Sequence, residues 1–281
     1  MLKRKRGIVI SGSKERSIVI DITYLENKKN KPIVVFSHGF KGFKDWGPFD
    51  EMATYFANNG FVFLKFNFSY NGTTLDSLFD FSDLEAFGNN NFSKELDDLG
   101  LVLNWLEETD LLSNEINLEL ISLFGHSRGG AISMLKVRED NRIYKLVSWA
   151  SPSDLFRSFP KGEKLDKWRE TNVAYIYNGR TKQNMPIYFQ FYEDCMKNTS
   201  RLNIEEAIKE RSIPHLVVHG SDDPTVLIND AELIKSWNHN TSLHIIQGAD
   251  HVFGSSHPYH QVYFPLHFKE AMDVTIDFLK N

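Results

Sequence analysis

Three short segments of this chain carry side-chain types that together can activate a hydroxyl. The first is Gly125-His126-Ser127-Arg128-Gly129-Gly130, which closes the apolar run Leu120–Phe124 and precedes the small and apolar stretch Ala131–Met134. A serine hydroxyl is a weak nucleophile until a neighbouring base takes its proton, and the base needs a carboxylate to hold its tautomer. Glycines two before and two after the serine remove the collisions of a sharp strand-to-helix turn and leave the hydroxyl exposed. A helix starting there also aims free N–H groups at developing negative charge. A tight turn in which serine is merely small shares the same pattern; the strand-like run before it and the helical pattern after it favour a nucleophile.

The other two segments follow in the order that such a turn requires, an acid and then a histidine. The strand-like run His215–His219 leads into Gly220-Ser221-Asp222-Asp223-Pro224-Thr225-Val226, and Leu243–Gln247 leads into Gly248-Ala249-Asp250-His251. Among ten histidines, His215, His219 and His244 lie in or at strands, His239 sits in a polar turn, and His126 heads away from the elbow. His257 and His260 share a loop with His251 and are its rivals. His251 is the expected base because it directly follows a strand and a small-residue turn. Asp222 and Asp223 are adjacent, so their side chains diverge and only one reaches the imidazole. Asp223 is favoured, Asp222 is the runner-up, and Asp250 could cap the histidine loop instead. Two backbone N–H groups are needed for the oxygen that becomes charged. Arg128, following the serine, supplies one, and Phe40 in Val34-Val35-Phe36-Ser37-His38-Gly39-Phe40 supplies the other. His38 is expected to brace that loop.

The elements that must hold these residues alternate. Gly7–Ser11 and Arg16–Leu25 read as strands, as do the continuous apolar runs Pro32–Ser37 and Phe61–Phe68, which mark strands buried on both faces. Helices are expected over Phe49–Asn58, Phe92–Thr109, Arg128–Arg138, Ile228–Asn238 and Leu266–Leu279, with strands Leu118–Phe124, Lys145–Ala150, His215–His219 and Leu243–Gln247. A polar loop is expected from 69 to about 91. This alternation predicts an α/β fold, a mostly parallel central sheet with helices on both faces. All three segments then sit on its C-terminal edge, where open α/β sheets carry their sites.

Residues 151–212 break the rhythm and are expected to form an inserted lid on a single domain spanning 1–281. Tyr175-Ile176-Tyr177 and Ile187–Tyr192 flank the turn signal Asn178-Gly179. Tyr175, Tyr177 and Tyr188 are candidate walls of an apolar substrate pocket, although such rings also serve simply to pack the insertion down. Leu165–Glu170 reads as helical, and Lys161–Lys164 as an exposed turn.

Bulk properties narrow the classes. The chain has 281 residues, 41% of them hydrophobic, enough for a large core. Its formal charge is −5, and only Lys3-Arg4-Lys5-Arg6 clusters basic residues; it reads as a solvated terminus, so no nucleic-acid partner is expected. A lone cysteine, Cys195, allows no intrachain disulfide, and the carboxylates beside it disfavour a thiolate. No run has membrane-spanning length, and Gly7–Ile10 is too short for a signal-peptide core, so a cytoplasmic location is expected.

With SHGF at 37–40, GHSRG at 125–129, and GSDDPTV and GADH at 220–226 and 248–251, the chain resembles the α/β-hydrolase superfamily over about residues 16–280. HGF followed by Lys-Gly, with a mid-chain insertion, resembles esterases of the cinnamoyl-esterase type and acyl-peptidase catalytic domains. The resemblance implies Ser127, His251 and Asp223 as a triad and Phe40 and Arg128 as oxyanion donors. Asn67–Gly72 departs from the Gly-His-Gly-type turn of many relatives and bears on the substrate. The expected function is cleavage of a small-molecule carboxylic ester through an acyl-enzyme, with no cofactor and no metal. The alternatives are amide or peptide hydrolysis by the same residues, or a catalytically silent small-ligand binder. Dinucleotide and P-loop fingerprints do not follow the first strands.

Overall fold

The computed structural model describes residues 1–281. Its strands are β1 (Leu2–Ser11), β2 (Ser17–Leu25), β3 (Lys31–Ser37), β4 (Val62–Asn67), β5 (Ile116–His126), β6 (Ile143–Trp149), β7 (Val173–Asn178), β8 (Gln183–Tyr188), β9 (His215–Gly220) and β10 (Thr241–Ile246). Eight of them form one sheet in the order β1-β2-β4-β3-β5-β6-β9-β10, and β7 and β8 make a separate antiparallel hairpin. From β4 to β10 the neighbours are parallel, while β2 runs antiparallel to β1 and β4. The helices are α1 (Phe49–Asn58), α2 (Leu84–Gly88), α3 (Phe92–Glu108), α4 (Arg128–Glu139), α5 (Glu163–Thr171), α6 (Gln190–Lys197), α7 (Ile204–Glu210), α8 (Ile228–Trp237) and α9 (Leu266–Lys280).

Period-two alternation in the buried strands builds a core on each face. Ile33 and Val35 of β3 pack on the side of α3, α4, α7 and α8. Val34 and Phe36 face the opposite way, towards α1 and α9. On that second side Phe36, Phe124 and Trp149 form a row of edge-to-face rings at 4.8 and 4.7 Å, all but fully buried. Trp149 finds a partner for its indole N–H in Thr275 Oγ1 at 2.9 Å, which ties β6 to α9. The α/β architecture expected from the alternation is thus present.

Three local expectations are corrected. The basic start is not a loose terminus: Leu2–Ser11 pairs with β2 as an edge strand, with a register shift between Lys5 and Ile8. Its cations are used, Lys3 with Glu26, Arg6 with Asp50, and Arg4 with Thr54 Oγ1. Within the expected polar loop, Asp83 accepts from Ala86 N–H and starts the short α2. The aromatic run 187–192 is not all strand, because α6 begins at Gln190 and buries Phe191 and Cys195 four residues apart.

A buried ionic network fastens the loop after β3. Lys44 bridges Asp21 of β2 and Asp45 at 2.5 and 2.6 Å, and Lys65 of β4 bridges Asp45 and Asp50 of α1. Asn67 Oδ1 accepts the Lys44 N–H at 2.6 Å. Burial pushes the Asp45 carboxyl up, but the Lys65 and Lys44 ammoniums outweigh it and hold the carboxyl below its ordinary range. The three carboxylates that cluster here are therefore spaced by ammonium groups. Between β6 and β9 the chain leaves the sheet to form α5, the β7–β8 hairpin, α6 and α7. No helix is long and apolar enough to cross a membrane.

Candidate active site

β5 ends in a turn whose backbone leaves no room for a side chain two residues before and two after Ser127. Ser127 adopts φ 55° and ψ −122°, a strained region for a residue with a side chain. A Cβ on Gly125 would lie 2.3 Å from the Gly129 carbonyl carbon, and one on Gly129 would lie 2.1 Å from Ser37 O. The turn is also held from β6, because Ser127 N–H donates to Trp149 O at 2.7 Å. Strain is thus absorbed by backbone contacts on both sides, and the serine side chain projects from the sheet edge.

The structure brings Ser127, His251 and Asp223 together. His251 Nε2 lies 3.0 Å from Ser127 Oγ, and His251 Nδ1 lies 2.7 Å from Asp223 Oδ2. Asp223 Oδ1 accepts the N–H groups of Thr225 at 2.8 Å and Val226 at 2.9 Å, so one oxygen is committed to backbone and the other to the imidazole. Burial raises the Asp223 carboxyl, but the hydrogen bond and charge of His251 more than offset this, and it lies below its ordinary range. Asp222 is turned away and accepts from Ser221 Oγ at 2.7 Å. Asp250 caps the histidine loop by accepting from Val252 and Gly254 N–H.

Of the other histidines, His260 lies outside the cavity that holds Ser127 and His251, and His257, His219 and His244 have partners of their own. His257 Nδ1 accepts the Gly47 N–H at 3.0 Å and packs edge-on to Phe43. His219 donates to Val226 O at 2.8 Å beneath Asp223, and His244 pairs with Glu270. His126 does not head away from the site. Its Nε2–H donates to the backbone oxygen of His251 at 2.8 Å, with the rings 5.0 Å apart. Burial, then the nearby His251 charge, pulls its pKa down to about 3, so it is a neutral brace for the histidine loop. The available signal was its place beside the nucleophile at a strand end; no periodicity rule tells which loop such a residue meets.

The loop after β3 passes close over the serine. A Cβ on Gly39 would be 3.1 Å from Ser127 Cβ, and Gly42 N–H donates to Gly39 O at 3.0 Å, so Phe40 and Lys41 are the central residues of a turn. His38 Nδ1 bonds Gly39 O at 2.9 Å and braces it. Arg128 heads α4, where the first N–H has no intrahelical acceptor. Its guanidinium lies 4.0 Å from the Phe40 ring centroid and 3.5 Å from Glu95, so the helix start, the loop and α3 meet beside the serine.

Ser127 opens on two cavities. One, of about 390 Å³, is bordered by Phe40, Lys41, Trp46, Arg180, His251 and His257. The other, of about 550 Å³, is bordered by Phe92, Arg128, Leu155, Arg157 and Val226. The tyrosines expected to wall the substrate pocket border neither. Tyr175 and Tyr177 are 62% and 59% exposed. Their cross-strand neighbours are Pro186 and Asn184, and Ile176 between them is exposed as well, so this part of β7 lies at the surface of the hairpin. Tyr188 lies against Gly88 and donates its hydroxyl to Glu85. From the hairpin, Asn178 and Arg180 reach the first cavity instead.

A parallel sheet with helices on both faces, and a serine on a glycine-flanked elbow at its C-terminal edge, define the α/β-hydrolase fold. The chain superposes over 97% of its length on Est1E from Butyrivibrio proteoclasticus with ferulic acid bound, covering 98% of that chain, with a TM-score of 0.75 and 15% identity. The α/β hydrolase GrgF from Penicillium matches at a TM-score of 0.71 and 16% identity, over 99% of this chain and 98% of that one. The esterase domain of a Rhodothermus marinus protein matches at 0.63 and 16%, over 100% and 97%. No family model and no curated protein matches the sequence.

Proposed function

We propose that the protein is a serine hydrolase that cleaves a small-molecule carboxylic ester through an acyl-enzyme. The observation that carries this reading is the continuous hydrogen-bond chain from Asp223 through His251 to Ser127, with 2.7 and 3.0 Å steps. His251 Nε2 takes the Ser127 proton as Oγ attacks the substrate carbonyl carbon. Asp223 holds the Nδ1–H tautomer and stabilises the imidazolium that forms. The N–H groups of Phe40 and Arg128 receive the oxygen that becomes charged. As the tetrahedral intermediate collapses, His251 passes its proton to the departing alkoxide. Water, deprotonated by His251, then attacks the acyl carbon and releases the acid.

The 151–212 insertion covers part of the site in this reading and contributes Asn178 and Arg180. Structures of the same fold are named as esterases, in keeping with the ester reading, and one is named as a peptidase, so amide cleavage by the same residues is the second reading. The test is labelling with a fluorophosphonate probe together with turnover of 4-nitrophenyl esters. Wild type should react with both, and Ser127→Ala and His251→Ala should lose both while melting at temperatures close to wild type. An unlabelled, inactive wild type sinks the proposal and leaves a ligand-binding role.

A further inference from the structure

The cavity that holds His251 is cationic in a protein of formal charge −5. Its charged border consists of Lys41 and Arg180, with no carboxylate among the bordering residues. Arg180 stands in the turn between β7 and β8, its N–H bonded to Asn178 Oδ1 at 3.2 Å. Its guanidinium carbon lies 5.5 and 5.7 Å from the Phe43 and Phe81 ring centroids, two apolar surfaces that fix the plane of the group.

What the guanidinium lacks is a hydrogen-bond acceptor. Its side chain is 27% exposed, and its one ionic neighbour, Asp80 at 3.6 Å, is itself 64% exposed. That separation lies beyond hydrogen-bond reach, and an exposed pair of this kind contributes little. Its five donors therefore have no hydrogen-bond acceptor in the protein and stand open to a ligand at the cavity mouth. The planar fork of arginine matches a carboxylate with two parallel N–H···O bonds. His257 adds a donor, since in the neutral ring an Nδ1 that accepts from Gly47 leaves the proton on Nε2.

The geometry points to Arg180 as a specificity residue that binds a free carboxylate carried by the substrate, with Lys41 adding attraction at longer range. The preferred substrates are then esters that retain an acid group, either half-esters of dicarboxylic acids or esters of acid-bearing alcohols. This inference rests on the hydrolase reading above.

The test compares each acidic ester with its neutral isostere: 4-nitrophenyl hemisuccinate against its methyl ester, and 3-acetoxybenzoate against its methyl ester. In at least one pair wild type should favour the acid in kcat/KM by about tenfold or more, the scale of one charge-assisted hydrogen bond. The ratio should fall with added salt. Arg180→Gln should bring it close to one, Arg180→Lys should restore part of it, and Asp80→Asn should keep it or raise it. Ratios below two in both pairs, or a preference that survives Arg180→Gln, overturn the inference. Calorimetry with 3-phenylpropanoate and 3-phenylpropanamide separates it from the reading beneath. If no ester turns over and no probe labels Ser127, the hydrolase reading fails alone provided the carboxylate still binds about tenfold tighter than the amide and loses that margin in Arg180→Gln.

Discussion

Replacing Asp223 by Asn is the sharpest perturbation of the proposed chemistry, because both carboxylate oxygens have assigned partners. Oδ1 accepts two backbone N–H groups, at 2.8 and 2.9 Å, and Oδ2 accepts from His251 Nδ1 at 2.7 Å. An amide has one oxygen to offer. Turning it to His251 would set an NH2 against the Thr225 and Val226 donors, each left unpaired at roughly 1–3 kcal/mol. Keeping it on the backbone loses one imidazole bond, so the amide oxygen stays there and the NH2 faces Nδ1. His251 must then accept at Nδ1 and carry its proton on Nε2, the atom 3.0 Å from Ser127 Oγ. A base already protonated at that position cannot take the serine proton. The expected loss is about 10⁴-fold in kcat, or about 5 kcal/mol of transition-state stabilisation. It would be read with 4-nitrophenyl acetate, beside a thermal melt showing a folded protein. Asp222→Asn, whose carboxylate bonds only Ser221, should stay within about twofold of wild type. If Asp223→Asn keeps a tenth of wild-type activity, or Asp222→Asn is the severe variant, the assignment of the acid is wrong.

Other outcomes follow from the same structure. Asp45 and Asp223 are both held below the ordinary carboxylate range, so the stability they add is complete above the unfolded value of about 3.9 and is lost as pH falls through their lower folded values. The melting temperature should therefore drop below about pH 4, with a flatter acid limb in Asp45→Asn; parallel curves would contradict this. Gly125→Ala puts a methyl 2.3 Å from backbone that cannot yield, and chemical denaturation should show a loss of at least about 1–3 kcal/mol together with lost activity. Phe36→Ala, in the ring row between sheet and α1, should cost about 3–5 kcal/mol in urea unfolding. Tyr175→Ser and Tyr177→Ser should each change stability by less than about 0.5 kcal/mol, and ester kcat/KM should stay near wild type.

What could be read directly from sequence was whatever a local rule controls. Pro32–Ser37 and Phe61–Phe68 announce buried strands because both their faces are covered. Leu96, Leu99, Val102, Leu103 and Leu106 announce α3 because they share one helical face. Ser127, Asp223 and His251 stood out because each follows a strand within a recognisable turn. The five residues of α2 escaped notice because they are too few to show a period, and their cap is a single Asp83 bond. In the aromatic run 187–192, strand and helix patterns both fit, and burial of Phe191 with Cys195 decides for helix after Gln190. Arg180 and Asn178 were out of reach for a different reason. Their aim depends on how the hairpin docks on Phe43, Phe81 and Phe87, a contact between remote segments that no window contains.

The hairpin is stitched to the neighbouring segment along its length. Gln183 donates to Phe81 O at 3.1 Å, Met185 is fully buried beside Phe81 and Phe87, and Tyr188 donates its hydroxyl to Glu85. Swinging it aside would strip Met185 of its surroundings, at about 1.5–3 kcal/mol, besides breaking those bonds. The same contacts fix where the turn after β7 lies, so Asn178 and Arg180 stand at the mouth of the Ser127 cavity as part of one packed unit with Phe81 and Phe87. Cutting back either side chain would widen that mouth without disturbing the packing beneath it.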